Sequence, residues 1–293
     1  MIRILGATFA ALLGLAFGSF LNVCLSRWPQ GESVVRPASH CPSCQRALAW
    51  YENIPLASWM ALRGRCRGCH AWIGWRYPLV EAAVGALWGF IAFRLFGHLL
   101  QTGASAPIQQ ANPPFGLLDA IALMFLCWLL VGLAVLDAEH FWLADAATIP
   151  GIALGFAYFF FSAQLTGEAM HADFWRALGM RCLAVLAAAV LILLIRWTYW
   201  LFRRRQGIGL GDAKLMAMLA AWLGLPGALL SFAIGVVLGG VVGLVVLALP
   251  ARPGAQSRGL TRLPLGTFLC IGGIVSALWG APIVHAYLRA VGL

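Results

Sequence analysis

The sequence predicts an all-α polytopic membrane protein with about eight transmembrane helices and a small cytoplasmic zinc-binding insert between helices 1 and 2. Of its 293 residues, 62% are hydrophobic and only 10% are charged, which is unusual for a soluble domain of this size. Apolar segments long enough to cross a bilayer recur along the chain. Two CxxC pairs lie in its one sizeable polar stretch.

The apolar segments recur with short polar connections between them, as expected of membrane-spanning helices. The sixth is short and is separated from the seventh only by Gly224-Leu225-Pro226, so the predicted helix count carries an uncertainty of one. The first is longer than the apolar region of a signal peptide, and we interpret it as a spanning helix. The segments lie at roughly 4–26, 79–100, 115–136, 146–164, 177–201, 213–225, 226–249 and 265–288.

The distribution of arginine predicts which connections face the cytoplasm. Segments 27–78, 202–214 and 251–264 are rich in basic residues, whereas 99–114 and 165–175 contain no Lys or Arg. Because basic connections favour the cytoplasmic side, an eight-helix path with both termini outside places all three basic segments there. Arg176 and Arg181 do not fit this path. A net charge of +10 in such a chain indicates topology, so we expect no nucleic-acid partner.

Segment 27–78 is the only polar piece of any size, and it is too short to be stable on a hydrophobic core alone. Its four cysteines form two CxxC pairs separated by 21 residues, a spacing typical of a four-thiolate zinc site. Disulfides or free thiols are the alternative, and a reducing cytoplasm disfavours disulfides. We predict a structural Zn²⁺ site with no catalytic role. Its ligands would be Cys41, Cys44, Cys66 and Cys69.

Two carboxylates at the predicted inner boundary could carry chemistry. Asp137 ends the third apolar segment, and Asp212 follows the glycine-rich stretch that begins at Gly207. A carboxylate at the mouth of a membrane helix is costly unless it is paired or functional. Two carboxylates at one depth would share a proton, which is the arrangement that an aspartic protease uses. The alternative is that each simply ends a helix, a role that suits Asp145 as an N-cap.

Other hydrolase signatures are missing from the sequence. There is no HExxH motif of a zinc metalloprotease and no Gly-x-Ser-x-Gly nucleophile elbow. Gly235, Gly239 and Gly243 recur at the spacing of a face that allows close helix packing, and they do not form a nucleotide-binding loop.

Several motifs together resemble one known family over nearly the whole chain. The sequence resembles the type IV prepilin peptidases, bifunctional leader peptidases and N-methyltransferases that belong to the GxGD membrane aspartic proteases. The motifs that carry this resemblance are Gly18-Ser19-Phe20-Leu21-Asn22-Val23 with Arg27-Trp28-Pro29, Trp50-Tyr51-Glu52-Asn53-Ile54-Pro55-Leu56, Arg76-Tyr77-Pro78-Leu79-Val80-Glu81, Leu136-Asp137, Gly209-Leu210-Gly211-Asp212-Ala213-Lys214-Leu215 and Pro264-Leu265-Gly266.

The resemblance implies that Asp137 and Asp212 are the catalytic pair, with Gly209, Gly211 and Lys214 as the supporting loop. It implies a multi-pass enzyme of the bacterial inner membrane whose active site faces the cytoplasm. Such an enzyme cleaves the basic leader of type IV prepilins or pseudopilins, in type IV pilus or type II secretion systems. It then methylates the new N-terminal residue using S-adenosylmethionine.

The domain organisation follows from the same resemblance. Residues 1–26 would be the first transmembrane helix, 27–78 the zinc-binding segment and 79–293 the transmembrane aspartic peptidase domain. Membrane lipid is then expected around the helices.

The methyl-donor site is less well defined by the sequence. No Rossmann-type glycine motif follows a strand, so S-adenosylmethionine would bind a site built from the zinc-binding segment and adjacent helices. Glu52, Arg76 and Glu81 are the candidate polar groups for that site. Two alternatives stay open, a peptidase without methyltransferase activity and a non-enzymatic membrane scaffold of a secretion or pilus assembly.

Two motifs depart from the family's usual pattern. Leu143-Ala144-Asp145 stands where Leu-Pro-Asp is usual, and Leu265-Gly266-Thr267 stands where Phe-Gly-Pro is usual. Neither change removes a candidate catalytic carboxylate, but both could alter how rigid the chain is beside the site.

Overall fold

The computed structural model describes residues 1–101, 116–165, 172–204, 209–248 and 263–291. Within these ranges the chain is helical, with two isolated β-bridges and no strand. Arg205, the start of the glycine-rich stretch at Gly207-Ile208, and most of the loops predicted at 99–114, 165–175 and 251–264 lie outside the described residues.

Seven long helices within the described ranges are apolar enough to cross a membrane, which confirms the predicted polytopic, all-α class. A short helix, α2, lies in the polar insert at Ala57–Ala61. The long helices are α1 Ile2–Arg27, α3 Arg76–Gln101, α4 Leu117–His140, α5 Asp145–Leu165, α6 Ala172–Arg203, α7 Leu210–Ala248 and α8 Leu265–Val291.

The chain divides into two compact units, residues 1–132 and residues 133–293. In the first unit, glycines bring α1 and α3 into close contact. A Cβ at Gly14 would lie 2.9 Å from the Cα of Gly85, and one at Gly18 would lie 2.7 Å from the Cα of Glu81. The sequence analysis placed a boundary between the insert (27–78) and the peptidase domain (79–293). That boundary stays a prediction.

In the second unit, helix α7 bends sharply at Gly224, which has φ 73° and ψ 178° and is followed by Pro226. Residues 210–223 run beside α5. At one end a Cβ at Gly211 would lie 3.0 Å from the Cβ of Leu143, and further along one at Gly155 would lie 2.9 Å from the ring of Trp222. A left-handed φ of this size favours glycine, so the bend is encoded by the residue itself.

Residues 226–248 return along α8 towards the end from which α7 began. A Cβ at Gly239 would lie 3.2 Å from Phe268, and one at Gly243 would lie 3.1 Å from Leu263. The start of α8 lies beside Leu143, which in turn contacts Gly211. A straight helix would hold Gly211 and Gly243 about 48 Å apart. Helix α7 is therefore a helical hairpin, so seven helices account for the eight apolar segments in the sequence.

Arg181, which did not fit the predicted topology, braces this hairpin. Its Nη1 donates to the carbonyl oxygens of Trp222 (3.3 Å) and Ala221 (3.5 Å). Its guanidinium also lies 4.8 Å from the centre of the Phe159 ring. The last carbonyls of a helix have no partners within the helix and carry its partial negative charge, so a cation stabilises them.

Candidate functional site

Asp137, near the end of α4, is held by the first turn of α8. Its Oδ2 accepts a hydrogen bond from the backbone N–H of Thr267 at 2.7 Å, and the Thr267 hydroxyl lies 3.3 Å from the same oxygen. The backbone N–H of Gly266 also interacts with this carboxylate. Because the first N–H groups of a helix have no partner within the helix, Asp137 caps α8 from a neighbouring helix.

Asp212 is the third residue of α7, and its carboxylate caps its own helix. Its Oδ2 accepts a hydrogen bond from the backbone N–H of Gly209 at 3.1 Å. This is the reach-back contact that a third-position acidic residue makes in a capping box. Asp137 and Asp212 are each only 7% exposed. Each carboxylate is therefore fixed by backbone N–H groups at a helix N-terminus.

The structure brings the two carboxylates together. Asp137 and Asp212 are close enough to interact electrostatically. Leu143 lies between their supporting glycines, because a Cβ at Gly211 and one at Gly266 would both lie about 3.0 Å from its side chain. A Cβ at Gly266 would also lie 2.9 Å from the Cγ of Asp137. The two glycines thus let Leu143 and the backbone approach the carboxylates closely.

Lys214 joins the supporting loop to α5. Its Nζ lies 2.7 Å from both carboxylate oxygens of Asp145. The prediction that Asp145 is the N-cap of this helix was wrong: α5 begins at Asp145, and Ala144 occupies the cap position, with its carbonyl accepting from Ala147 and Thr148. Lys214 is the only lysine in the chain, and its pairing with Asp145 was not predicted from the sequence.

The four predicted metal ligands form one cluster in the first unit. Their sulfur atoms all lie within 4.8 Å of one another, and the Sγ atoms of Cys41 and Cys69 are 3.8 Å apart. Four thiolates around one tetrahedral Zn²⁺ at about 2.3 Å would lie roughly 3.8 Å from each other. The cluster is therefore compatible with a four-thiolate metal site.

Two thiols of the cluster have opposite pKa shifts: backbone N–H groups favour the thiolate of Cys66, whereas burial and the neighbouring thiols raise the pKa of Cys69 to about 11. The N–H groups of Cys69 and Gly68 hydrogen-bond to the sulfur of Cys66 and lower the pKa of that thiol to about 6. Isolated β-bridges His40–Ala47 and Arg65–Trp72 close the two cysteine turns. Thiolates are the form that binds metal, so these N–H contacts favour the metal-binding form of Cys66.

Between segment 27–78 and the ends of α1 and α3 lies a cavity of about 450 Å³, within the first unit. Two of the three candidates for the methyl-donor site, Glu52 and Glu81, line it. The third, Arg76, does not line it, but its Nη2 donates to the hydroxyl of Ser26, which does. Asn22 also lines the cavity, and the sequence had not singled it out.

The acidic groups of the cavity are held in place by local contacts. Glu52 pairs with Arg46 at 2.7 Å and accepts from the N–H of Ala49 at 2.9 Å. The hydrogen bond from Arg46 holds the pKa of Glu52 below its usual range. Glu81 accepts a hydrogen bond from the backbone N–H of Leu56 at 2.8 Å. Both carboxylates are more than nine-tenths buried.

Comparison with known families finds matches in both units. Residues 12–95 match the model of the bacterial peptidase A24 N-terminal domain, and residues 124–244 match that of the type IV leader peptidase family. The first match contains the cysteine cluster and the cavity, and the second contains Asp137 and Asp212.

Curated proteins named prepilin leader peptidase/N-methyltransferase are similar to the chain over most of its length. The Myxococcus xanthus protein is 38% identical over 89% of this chain and 69% of its own. The Stutzerimonas stutzeri protein is 34% identical, and the Pseudomonas aeruginosa protein 32%, each over 96% of this chain and 93% of the relative. No solved structure matches.

Proposed function

This chain belongs to the type IV leader peptidase family, and from that premise we propose that it is a membrane-embedded aspartic endopeptidase and N-methyltransferase. Its substrates are type IV prepilins or pseudopilins. It removes the basic leader peptide and methylates the new N-terminal residue with S-adenosylmethionine. The relatives' names support both activities, and the matches in both units support one chain that carries both.

The paired, buried carboxylates carry the peptidase proposal. One carboxylate takes a proton from water, whose oxygen attacks the scissile carbonyl carbon, while the other carboxyl group protonates the carbonyl oxygen. The C–N bond then breaks, and the leaving amine receives a proton from the pair. No metal is needed for these steps.

The hydrogen bonds support different roles for the two carboxylates. Hydrogen bonds to a carboxylate favour its ionised form. Asp137 accepts from the N–H groups of Thr267 and Gly266, with the Thr267 hydroxyl close by, whereas Asp212 accepts from the N–H of Gly209. Asp137 is accordingly the base that takes the proton from water, and Asp212 is the acid.

The membrane supplies the substrate's orientation. The basic segments 27–78 and 202–214 favour the cytoplasmic side of the bacterial inner membrane, and Asp212 lies within the second of them. A prepilin is an apolar helix with a basic leader, so its cut site lies at this interface. Gly209, where a Cβ would lie 3.5 Å from the Asp212 Oδ2, leaves room for the substrate backbone to approach that carboxylate.

Zinc has a structural role in this proposal. Cys41, Cys44, Cys66 and Cys69 would hold one Zn²⁺ that stabilises segment 27–78. A four-thiolate site has no open position for substrate, so no step of the reaction passes through the metal. S-adenosylmethionine supplies the methyl group, and Glu52 and Glu81 are the groups of the first unit proposed to recognise it.

Exchange of either aspartate tests the peptidase assignment. We expect Asp137→Asn and Asp212→Asn each to reduce leader cleavage by at least about 10³-fold, because one proton-transfer group is lost. The assay uses full-length protein in lipid nanodiscs with a purified prepilin. Mass spectrometry of the product reads both the cleavage and the methyl group on the new N-terminus.

Asp119→Asn is the matched control, because Asp119 lies at the other end of α4. It should cleave at the wild-type rate. The thermal unfolding midpoint of each variant shows whether it is folded. Wild-type cleavage by Asp137→Asn or Asp212→Asn would reject the catalytic pair, and an unmethylated wild-type product would leave a peptidase alone.

A further inference from the structure

The cavity of the first unit contains an unusual polar group. Asn22 is only 2% exposed, and its Nδ2 donates to the backbone carbonyl of Tyr77 at 3.0 Å. That hydrogen bond fixes the amide, so its Oδ1 must act as an acceptor. This Oδ1 is buried and has no hydrogen-bond partner. A buried acceptor without a partner is unfavourable, so a ligand that donates a hydrogen bond to this oxygen would remove that cost.

The carboxylates of the cavity differ in how their charge is balanced. Glu52 already has the guanidinium of Arg46 as its counter-ion. Glu81, by contrast, interacts with the uncharged N–H of Leu56 and the hydroxyl of Ser19. It is 7% exposed. A carboxylate buried to this extent is unfavourable without a cation close to it.

Arginine in the cavity wall does not supply that cation. Arg27 lines the cavity, but its Nη1 donates to the carbonyl of Ser33 at 3.0 Å and its Nη2 to that of Pro37 at 2.7 Å. Its guanidinium is thus committed to holding the loop that follows α1. Among the residues that line the cavity, no arginine therefore pairs with Glu81.

Aromatic side chains complete the wall. Trp59 and Tyr77 line the cavity, and Trp59 is held by its Nε1 hydrogen bond to the carbonyl of Ile73 and by the Trp75 ring 4.5 Å away. Aromatic faces attract cations. A volume of about 450 Å³ is within the range of small-molecule sites.

We infer that this cavity binds an organic cation that carries N–H donors, with Glu81 balancing its charge and Asn22 Oδ1 accepting a hydrogen bond from it. The inference rests on the proposed N-methyltransferase activity. That activity handles two such cations, the amino-acid ammonium of S-adenosylmethionine and the N-terminal ammonium of the cleaved pilin. The orphaned Asn22 oxygen and the unbalanced Glu81 fit either one.

Ligand binding to Glu81→Gln tests this inference directly. A glutamine oxygen can still accept from the N–H of Leu56, so the substitution removes mainly the charge. Four probes are titrated by calorimetry into full-length protein in nanodiscs: S-adenosylmethionine, S-adenosylhomocysteine, a pilin peptide with a free N-terminal amine and the same peptide acetylated. We expect Glu81→Gln to weaken binding of at least one cationic probe by about 10- to 100-fold, as for the loss of a buried charge partner.

The four probes identify the cation. Weaker binding of both adenosyl compounds indicates the amino-acid ammonium of the methyl donor. Weaker binding of S-adenosylmethionine alone would indicate its sulfonium, which carries no N–H, and would contradict the hydrogen bond inferred at Asn22. Weaker binding of the free-amine peptide, with the acetylated peptide unchanged, indicates the pilin N-terminus. Asn22→Leu removes the orphaned acceptor and should weaken the same probe.

Asp119→Asn is again the control, because it removes a carboxylate of the same unit outside the cavity, and it should leave all affinities within about twofold. Leader cleavage by each preparation shows that the protein is folded. Unchanged affinities in Glu81→Gln, or no binding of any probe to the wild-type protein, would overturn the inference. Failure of the proposed function is a separate result, an absence of leader cleavage by the wild-type protein.

Discussion

The aspartate pair of the second unit and the cavity of the first unit are built in different ways. Asp137 and Asp212 are held by backbone N–H groups at the starts of long helices, with glycines beside them. The cavity is formed partly by a short insert, whose shape depends on side chains such as the Arg46–Glu52 pair and on four clustered thiols.

This difference predicts opposite sensitivities. A site built on helix termini depends on how closely backbones approach, so an added methyl group can displace it. A site built on a small insert depends on whether the insert is folded at all, since about fifty residues cannot bury enough apolar surface by themselves. Removing the metal that the four cysteines are proposed to share should therefore reduce methylation. Adding a Cβ beside the carboxylates should reduce leader cleavage.

Among changes that leave both aspartates in place, the largest effect is expected from loss of the metal. We expect Cys66→Ser, or treatment with a strong chelator, to reduce N-methylation more than about 100-fold and leader cleavage much less, because structural zinc contributes the folding free energy of a small module. Mass spectrometry of one product measures both activities, and elemental analysis measures bound zinc.

Cys182→Ser serves as the control, because Cys182 is an exposed thiol outside the cluster. It should keep both activities and the zinc content. A metal-free protein that methylates at the wild-type rate would show that the insert is folded without zinc. The cavity would then not depend on the metal, and the contrast with the aspartate pair would be wrong.

A smaller but specific effect is expected at Gly266. A Cβ there would lie 2.9 Å from the Cγ of Asp137 and 3.0 Å from Leu143, so Gly266→Ala must displace one of them. A displacement of less than 1 Å at a catalytic group can cost up to about 10²-fold in rate. We expect a 10- to 100-fold lower kcat for leader cleavage, while methylation of a pre-cleaved peptide stays unchanged.

Gly240→Ala is the matched control, because a Cβ at Gly240 would have nothing within 4 Å. It should retain wild-type cleavage and gain slightly in thermal stability, since alanine favours a helix by about 1 kcal/mol over glycine. Equal losses of kcat in both variants would mean that any Gly→Ala exchange in these helices slows cleavage, and that contact with Asp137 is not the cause.

The sequence alone predicted the parts of this molecule that local pattern determines. Apolar segments predicted the helices, and CxxC spacing predicted the thiol cluster, because both signals lie within short stretches. Gly224-Leu225-Pro226 marked the bend of α7, although only the contacts of Gly243 and Gly266 reveal that the helix returns.

Contacts between distant residues could not be read from the sequence. Thr267 lies 130 positions from Asp137, and no periodicity relates the two. Leu143 looks like any interfacial leucine until it is placed between Gly211 and Gly266. Asn22 was quoted only as part of a motif, because the orphaned state of its oxygen depends on the position of Tyr77.

The smallest expected effect concerns the ion pair that joins the supporting loop to α5. Lys214 and Asp145 are both partly exposed, with 39% and 57% of their side-chain surfaces accessible, so solvent screens their attraction and each pair of this kind is worth at most about 1 kcal/mol. Because Lys214 lies two residues after Asp212, the pair still fixes the start of α7 relative to α5. We expect Lys214→Gln and Asp145→Asn each to lower kcat for cleavage about two- to fivefold with little change in KM.

The double variant should be no slower than either single variant, since the same contact is lost in all three. Losses that multiply in the double variant would mean that the two residues act independently, and the ion pair would then have no part in positioning Asp212.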